Sequence, residues 1–331
     1  MKKVKLGKTD LEVTPIALGA WAIGGWMWGG SDRKDSLKAV SAAIEQGITT
    51  IDTAPAYGFG LSEEIVGEAI RGKRDRLQIL TKYGLRWDTD RGEFYFPTRT
   101  NDGTAVNMHR YAARESVIRE CEESLRRLGT DYIDLYQIHW PDPTTPIEET
   151  METVEELIRQ GKVRAAGVCN YSREELEQAG RVISLATDQV PYSMLRRDIE
   201  QDLVPYCLEQ QIGIMVYSPL QRGILAGKIK PDHQFRGGDS RPDTPYYKLG
   251  NVIRINNFLD RIRPLAENKG ISLAQLVLRW TLQQPGITCL LAGVRNEEQL
   301  ADNAGALEFE LSREEMEFIE GHLDKLDLSL E

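Results

Sequence analysis

Short β-rich apolar runs alternate along the chain with longer stretches of helical spacing. The runs are Pro15–Gly19, Thr50–Thr53, Leu77–Lys82, Tyr132–His139, Val163–Cys169, Asp188–Val190, Ile214–Tyr217 and Thr288–Ala292. In the stretch ARESVIRECEESLRRLGTD, the apolar positions Val117, Ile118, Cys121, Leu125 and Leu128 form one stripe, and Gly129 is placed to end the helix. SLKAVSAAIEQG and SLAQLVLRWTLQQPG read the same way, with Ser36 and Ser272 as N-caps and Gly47 or Pro285 as stops.

Eight β-runs, each followed by a helical pattern, predict parallel strands joined by right-handed crossovers. Runs such as YIDLYQI are nearly apolar on both faces, which suits a sheet covered on both sides. An open doubly wound sheet and an eight-stranded barrel both fit this pattern, and eight units in a chain of 331 residues favour the (β/α)8 TIM barrel. No low-complexity linker or internal repeat divides the sequence, so residues 1–331 read as a single α/β barrel domain. The segment VKLGKTDLEV reads as an N-terminal β-hairpin turning through Gly7 to Asp10. Two segments, 84–112 and 221–251, read as long loops, and loops of that length usually cover a site.

Composition narrows the function classes. Hydrophobic residues are 41% and charged residues 28%, an ordinary globular balance. No apolar run approaches the roughly 18 residues needed to span a bilayer, and the basic start MKKVKLGKTD lacks the apolar core of a signal peptide. The four cysteines (Cys121, Cys169, Cys207 and Cys289) are dispersed, which suits a reducing cytoplasm and not a disulfide framework. A net charge of −10 with no dense Lys/Arg block argues against nucleic acid as a partner. The four histidines are scattered without metal-ligand spacing, and no metal is assigned. GFGLSE lacks the third glycine of a dinucleotide finger, GILAGK has the wrong spacing for a phosphate loop, and no G-x-S-x-G occurs.

In a βα barrel, chemistry belongs at the C-terminal ends of the strands. Polar residues punctuate nearly every such end: Asp52, Lys82, His139, Asn170, Gln189 and the pair Tyr217-Ser218, with Tyr57 in the loop after Asp52. Any one of these is explained as a satisfied strand-end polar group, but jointly they suggest a site. A tyrosine hydroxyl with its ordinary pKa near 10 is a poor acid. An adjacent Lys82 ammonium would stabilise its phenolate and lower that pKa, Asp52 would orient Lys82, and His139 would position a substrate oxygen. Protonating a carbonyl oxygen requires a hydride on its carbon, and no side chain supplies one, so a cofactor must.

The stretches LGAWAIGG, IDTAPAYGFGLSEEIVGEAI, ILTKYG, LGTDYIDLYQIHWPD, GKVRAAGVCNYS, MVYSPLQRGILAGK and AGVRNEEQLADN carry a resemblance to the aldo-keto reductase family along the chain, most of all to bacterial NADPH-dependent general stress reductases. The resemblance implies Tyr57 as proton donor, Asp52 and Lys82 as its pKa-lowering pair and His139 as the substrate-orienting histidine. It implies cofactor contacts from Ala20, Trp21, Asp52, Asn170, Gln189, Tyr217, Ser218, Pro219, Leu220, Gln221, Arg222 and Lys228. At the adenosine end it implies Gly293, Arg295, Gln299, Asp302 and Asn303. The substrate pocket would include Trp21, Tyr57, His139 and Trp140, with Trp87, Phe94 to Phe96, Tyr246 and Tyr247 as further candidates. A guanidinium at Arg295 would favour NADP over NAD, unless it pairs with Glu297 or Glu298 instead.

The expectation is therefore an NADPH/NADP+-dependent reductase of small carbonyl compounds, cytoplasmic, active in stress and monomeric, with no membrane partner. Two alternatives stay open: a cofactor-sensing subunit, and an oxidase or epimerase of sugars or polyols. Two departures from the family pattern stand out. Cys169 occupies a position where serine is common, and Leu291-Ala292 precedes Gly293 where Ile-Pro is more usual. The run WAIGGWMWGG is open to two readings, an aromatic lip or ordinary packing.

Overall fold

The computed structural model describes residues 2–235, 237–294 and 297–330. An antiparallel hairpin comes first, β1 (Val4–Lys5) and β2 (Glu12–Val13). Then follow β3 (Ile16–Gly19), β4 (Thr50–Asp52) and β5 (Gln78–Tyr83). After β5 come β6 (Leu85–Arg86), β7 (Glu93–Arg99) and β8 (Ala105–Arg110). The chain continues through β9 (Ile133–Ile138), β10 (Val163–Cys169), β11 (Leu185–Pro191), β12 (Gly213–Tyr217) and β13 (Ile287–Gly293). Strands β3, β4, β5 and β9 to β13 pair in parallel and close into an eight-stranded barrel through β13 and β3.

Helices separate the barrel strands, as the apolar stripes predict. The stripe around Val117 forms the helix Arg114–Leu128, and Gly129 ends it in the left-handed region at φ 63°. Ser272 caps the helix Leu273–Leu282 in a reciprocal box with Gln275. The expected cap at Ser36 does not form. That helix begins at Arg33, because the Asp32 carboxylate accepts the Asp35 N–H first and leaves Ser36 buried inside the element.

Inside the barrel, Ala17, Leu80, Leu135, Ala165, Met215 and Cys289 pack with Leu6 and Val13 of the hairpin. The hairpin therefore plugs the end where the strands begin, and only the opposite rim remains for a ligand. The segment 84–112 is not a loop. It folds as a three-stranded antiparallel sheet in the order β6-β8-β7. Its Arg, Asp, Gly and Pro content masks the alternation of two short strands. The segment 221–251 carries three short 3-10 turns, at Gln221–Ala226, Arg241–Asp243 and Pro245–Tyr247, and its last three residues already belong to the helix Leu249–Lys269.

Candidate active site

The floor of the site is a buried ion pair. Asp52 ends β4, and the Lys82 ammonium from the neighbouring β5 donates to its Oδ1 at 2.6 Å and to the Thr53 carbonyl at 3.0 Å. Lys82 has no exposed surface. Gln189 of β11 and Gln137 of β9 donate their Nε2 groups to Asp52 Oδ2, at 2.9 and 3.3 Å. The carboxylate thus has a defined partner on each oxygen, which a buried charge requires. Burial is the largest single influence and pulls Lys82 down, but the Asp52 charge and hydrogen bond, with Tyr57 and Cys169, together outweigh it and hold the ammonium charged.

Tyr57 lies over this pair, with Lys82 Nζ 4.8 Å from its ring centroid. The His139 ring meets it edge-on at 5.5 Å, and Trp21 is roughly parallel to it at 6.1 Å. Its backbone is fixed by two glycines in contact. A Cβ on Gly58, at φ +71°, would come within 2.2 Å of the Gly24 carbonyl oxygen, so only glycine fits. Electrostatically the site differs from the sequence expectation. Lys82 does pull the Tyr57 pKa down, but burial outweighs it and Asp52 adds to the rise, so the phenol is pushed up to about 12. Tyr57 therefore stays a protonated phenol at neutral pH, and burial alone makes it a weaker acid than an exposed tyrosine, so Lys82 is the one neighbour here that favours release of its proton. Burial, then the Lys82 charge, pushes His139 well below its ordinary range and keeps it a neutral imidazole.

A cavity of about 520 Å³ opens above these groups and runs along the rim. Asp52, Tyr57, His139, Trp140 and Trp21 line one end of it. Asn170, Gln189, Tyr217, Ser218, Pro219 and Leu220 line its middle. Arg222, Lys228, Gly293, Gln299, Asp302 and Asn303 line the rest. Three expected residues are not on its surface. Lys82 lies beneath Tyr57. Ala20 is fully buried, its N–H bonded to the Asp52 carbonyl and its own carbonyl to Ser62. Gln221 turns away and accepts from Ser193 Oγ at 2.9 Å. Arg295 lies outside the described residues.

The middle of the groove bears on cofactor binding. Asn170, Ser218 and Arg222 all adopt left-handed backbone, at φ 61°, 57° and 57°, which non-glycine residues hold only where the surroundings enforce it. Asn170 is already engaged: its Nδ2 donates to the His139 carbonyl at 3.1 Å and its Oδ1 accepts from the Tyr217 hydroxyl at 2.8 Å. Cys169 lines the cavity as a buried thiol, its pKa pushed up by burial. The Arg222 guanidinium rests against Trp21 and Trp28 at 5.3 and 5.1 Å and donates to Ser240. Its Nε is buried without a hydrogen-bond partner, and no carboxylate among the described residues pairs with it. A flat tyrosine beside the floor, then an unpaired cation and an exposed lysine, suits an elongated anionic ligand with a planar head, as a nicotinamide dinucleotide is.

Several lining residues are new relative to the sequence, among them Leu85 and Arg241, and nothing in their local pattern marks them, because turns and the added sheet carry them to the rim. Of the further pocket candidates, Tyr95 and Phe96 line the cavity, while Trp87, Phe94, Tyr246 and Tyr247 do not. Of the two readings of the glycine-rich run, both apply: Trp21, Trp26, Met27 and Trp28 line the cavity, and Trp26 is also packed, stacked on Phe96 at 6.2 Å with its indole donating to Thr98. Among the described residues no cluster of His, Cys, Asp or Glu has metal-binding geometry, and no helix is long and apolar enough to cross a membrane.

A closed (β/α)8 barrel with a buried Asp–Lys pair under a tyrosine defines a class of oxidoreductase. The Aldo/keto reductase family model matches residues 15–324, and the chain belongs to that family of nicotinamide-dependent enzymes acting on carbonyls. Among its relatives, the aldo-keto reductase YhdN of Bacillus subtilis is 42% identical over 91% of this chain and 87% of that protein. The NADH-specific methylglyoxal reductase of Escherichia coli is 35% identical over 94% and 95%. Among solved structures, the glycerol dehydrogenase of Gluconobacter oxydans is 36% identical with a TM-score of 0.88, covering 98% of this chain and 95% of that one.

Proposed function

We infer that the chain is an NADPH-dependent reductase of aldehydes or ketones in which Tyr57 is the proton donor, with residues 1–331 acting as one catalytic domain. The observation that carries the reading is the stack of Asp52, Lys82 and Tyr57 beside a neutral His139 at one end of the groove. The bound nicotinamide dinucleotide supplies the hydride. The chain's own residues do the remainder. His139 and Tyr57 hold the carbonyl oxygen, and the Tyr57 hydroxyl gives its proton as charge develops there. Lys82, held charged by Asp52, stabilises the phenolate left behind. Tyr217, Asn170 and Gln189 would bound the planar head, and Arg222 and Lys228 would take the pyrophosphate.

The preference for NADPH is supported by Klebsiella pneumoniae aldo-keto reductases solved with NADP and acetate and with NADPH, 31% and 32% identical to this chain with TM-scores of 0.73 and 0.72. Arg295, at the expected adenosine end, supplies a guanidinium for a 2′-phosphate. The NADH-specific relative makes this the point to test first. The assay follows oxidation of NADPH and of NADH by the purified protein with a panel of aldehydes, beside Tyr57→Phe and Arg295→Ala. The reading requires turnover that Tyr57→Phe abolishes and an NADPH advantage that Arg295→Ala erases. Turnover unchanged in Tyr57→Phe refutes the acid, and equal use of both cofactors by the unaltered chain refutes the preference. A second reading, polyol oxidation, is favoured by the likeness to the glycerol dehydrogenase, and the same protein with NADP+ and glycerol tests it.

A further inference from the structure

The outer wall of the cavity violates the alternation of a regular strand, in which neighbouring side chains face opposite ways. Phe94 of β7 is 54% exposed, yet Tyr95 and Phe96, consecutive in sequence, both line the cavity. The register gives the cause. Phe94 pairs with His109 and Phe96 with Met108, so Tyr95 is an extra residue without a partner position on β8. Such a bulge re-aims a side chain, and here it turns two adjacent aromatic residues onto one face.

Tyr95 is then clamped. Its ring meets Phe96 at 4.9 Å and Trp140 at 5.4 Å, and the Arg110 guanidinium lies 5.0 Å from its centroid. Arg110 is paired in turn with Glu93, the residue directly across the strand pair. Burial raises the Tyr95 pKa, so its hydroxyl is neutral. The wall around it presents rings and aliphatic groups: Trp21, Trp26, Leu85, Phe96 and Trp140. Among the described residues, the cations that line the cavity, Arg222, Lys228 and Arg241, all come from the segment after β12, while Arg110 stands behind Tyr95 and does not line it.

We propose that the bulge makes Tyr95 the residue that selects the substrate, an uncharged carbonyl compound bearing a flat aromatic group, and that Arg110 is its positioning residue. This rests on the reductase reading. An aryl group lies ring against ring on the face that Tyr95 and Trp140, already in contact with each other, present together to the cavity. A carboxylate in that place would be desolvated among rings, with the nearby guanidiniums already engaged, Arg110 by Glu93 and Arg222 on the faces of Trp21 and Trp28. A small dicarbonyl would leave the wall uncovered.

The test compares kcat and KM for benzaldehyde, 4-carboxybenzaldehyde and methylglyoxal in the unaltered protein, Tyr95→Ala, Arg110→Met, Arg110→Lys and Phe94→Ala. The unaltered protein should favour benzaldehyde over its carboxylate about tenfold or more in kcat/KM. Tyr95→Ala should lower kcat/KM for benzaldehyde about tenfold, mainly through KM, and far less for methylglyoxal. Arg110→Met should show the same split, smaller, with Arg110→Lys restoring most of it, while Phe94→Ala on the same bulge leaves the ratio unchanged. Equal losses on both aldehydes, the same effect from Phe94→Ala, or a preference for the charged or small substrate overturns the proposal. No turnover of any aldehyde by the unaltered protein overturns the reductase reading itself, and the proposal with it.

Discussion

The floor and the outer wall of the cavity are built in contrasting ways. The floor stands on the ends of β4, β5, β9 and β11, four strands of the closed barrel, and each of its polar groups is held by another: Lys82 by Asp52 and Thr53, Asp52 by Gln189 and Gln137. The part of the wall made by Tyr95 and Phe96 stands on β7, which pairs with β8 outside the barrel, and is held by ring contacts and one bulge. Barrel strands cannot shift singly without breaking pairing on both sides, so they suit groups that must keep hydrogen-bond distances. An appended sheet tolerates substitution and suits the part that decides what is admitted.

The contrast breaks most sharply at Tyr57. Tyr57→Phe should cost about a thousandfold in turnover, in the range expected for loss of a general acid, with cofactor binding by tryptophan fluorescence nearly intact. Lys82→Met tests whether the floor is also structural. It leaves the Asp52 carboxylate buried without its cation, and stability in a urea titration should fall by about 3–5 kcal/mol along with activity. Retained stability there would mean that water or rearrangement satisfies Asp52. On the cation side of the groove, Arg222→Leu should weaken binding of the dinucleotide about tenfold, the cost of one charge-assisted contact, and make binding less sensitive to salt.

The smallest effect lies where wall meets barrel. Glu120 is buried and accepts from the Gly84 N–H, Ser116 and Arg86; burial raises its pKa from 4.5 to about 7 against those partners. Because the folded value exceeds the unfolded one, its stabilising contribution is full below pH 4.5 and is lost as the pH rises through about 7. The melting temperature should therefore drop between pH 5 and pH 8 partly through this group, and Glu120→Gln should flatten that dependence. An unchanged slope would assign the pH response to other groups.

Sequence legibility follows the same division. Periodicity located seven of the eight barrel strands within a residue or two, because the strands are buried on both faces and their apolar runs are continuous; β11 was read short, starting at Asp188 and not Leu185, and the hairpin at β1 and β2 was anticipated. The polar residues at those strand ends were visible by the same token: a strand end converts sequence position into spatial position. The sheet β6-β8-β7 was not legible, since its short strands carry arginines and are joined by turns rich in Asp and Gly, and a bulge leaves no mark in one sequence. Net electrostatics were not legible either. That Lys82 would act on Tyr57 could be anticipated, but that burial would outweigh it depends on how completely Tyr57 is covered.

Barrel closure has a consequence for synthesis. The final seam joins β13 to β3, and the Cys289 thiol donates to the Thr14 carbonyl, a contact between residues 275 positions apart. Until β13 has left the ribosome, β3 and β12 each present an unpaired edge, and the hairpin has no completed cylinder to stopper. A nascent chain therefore carries open, sticky strand edges for most of its translation. The contacts that make the rim rigid enough for chemistry are among the last that the growing polypeptide can make.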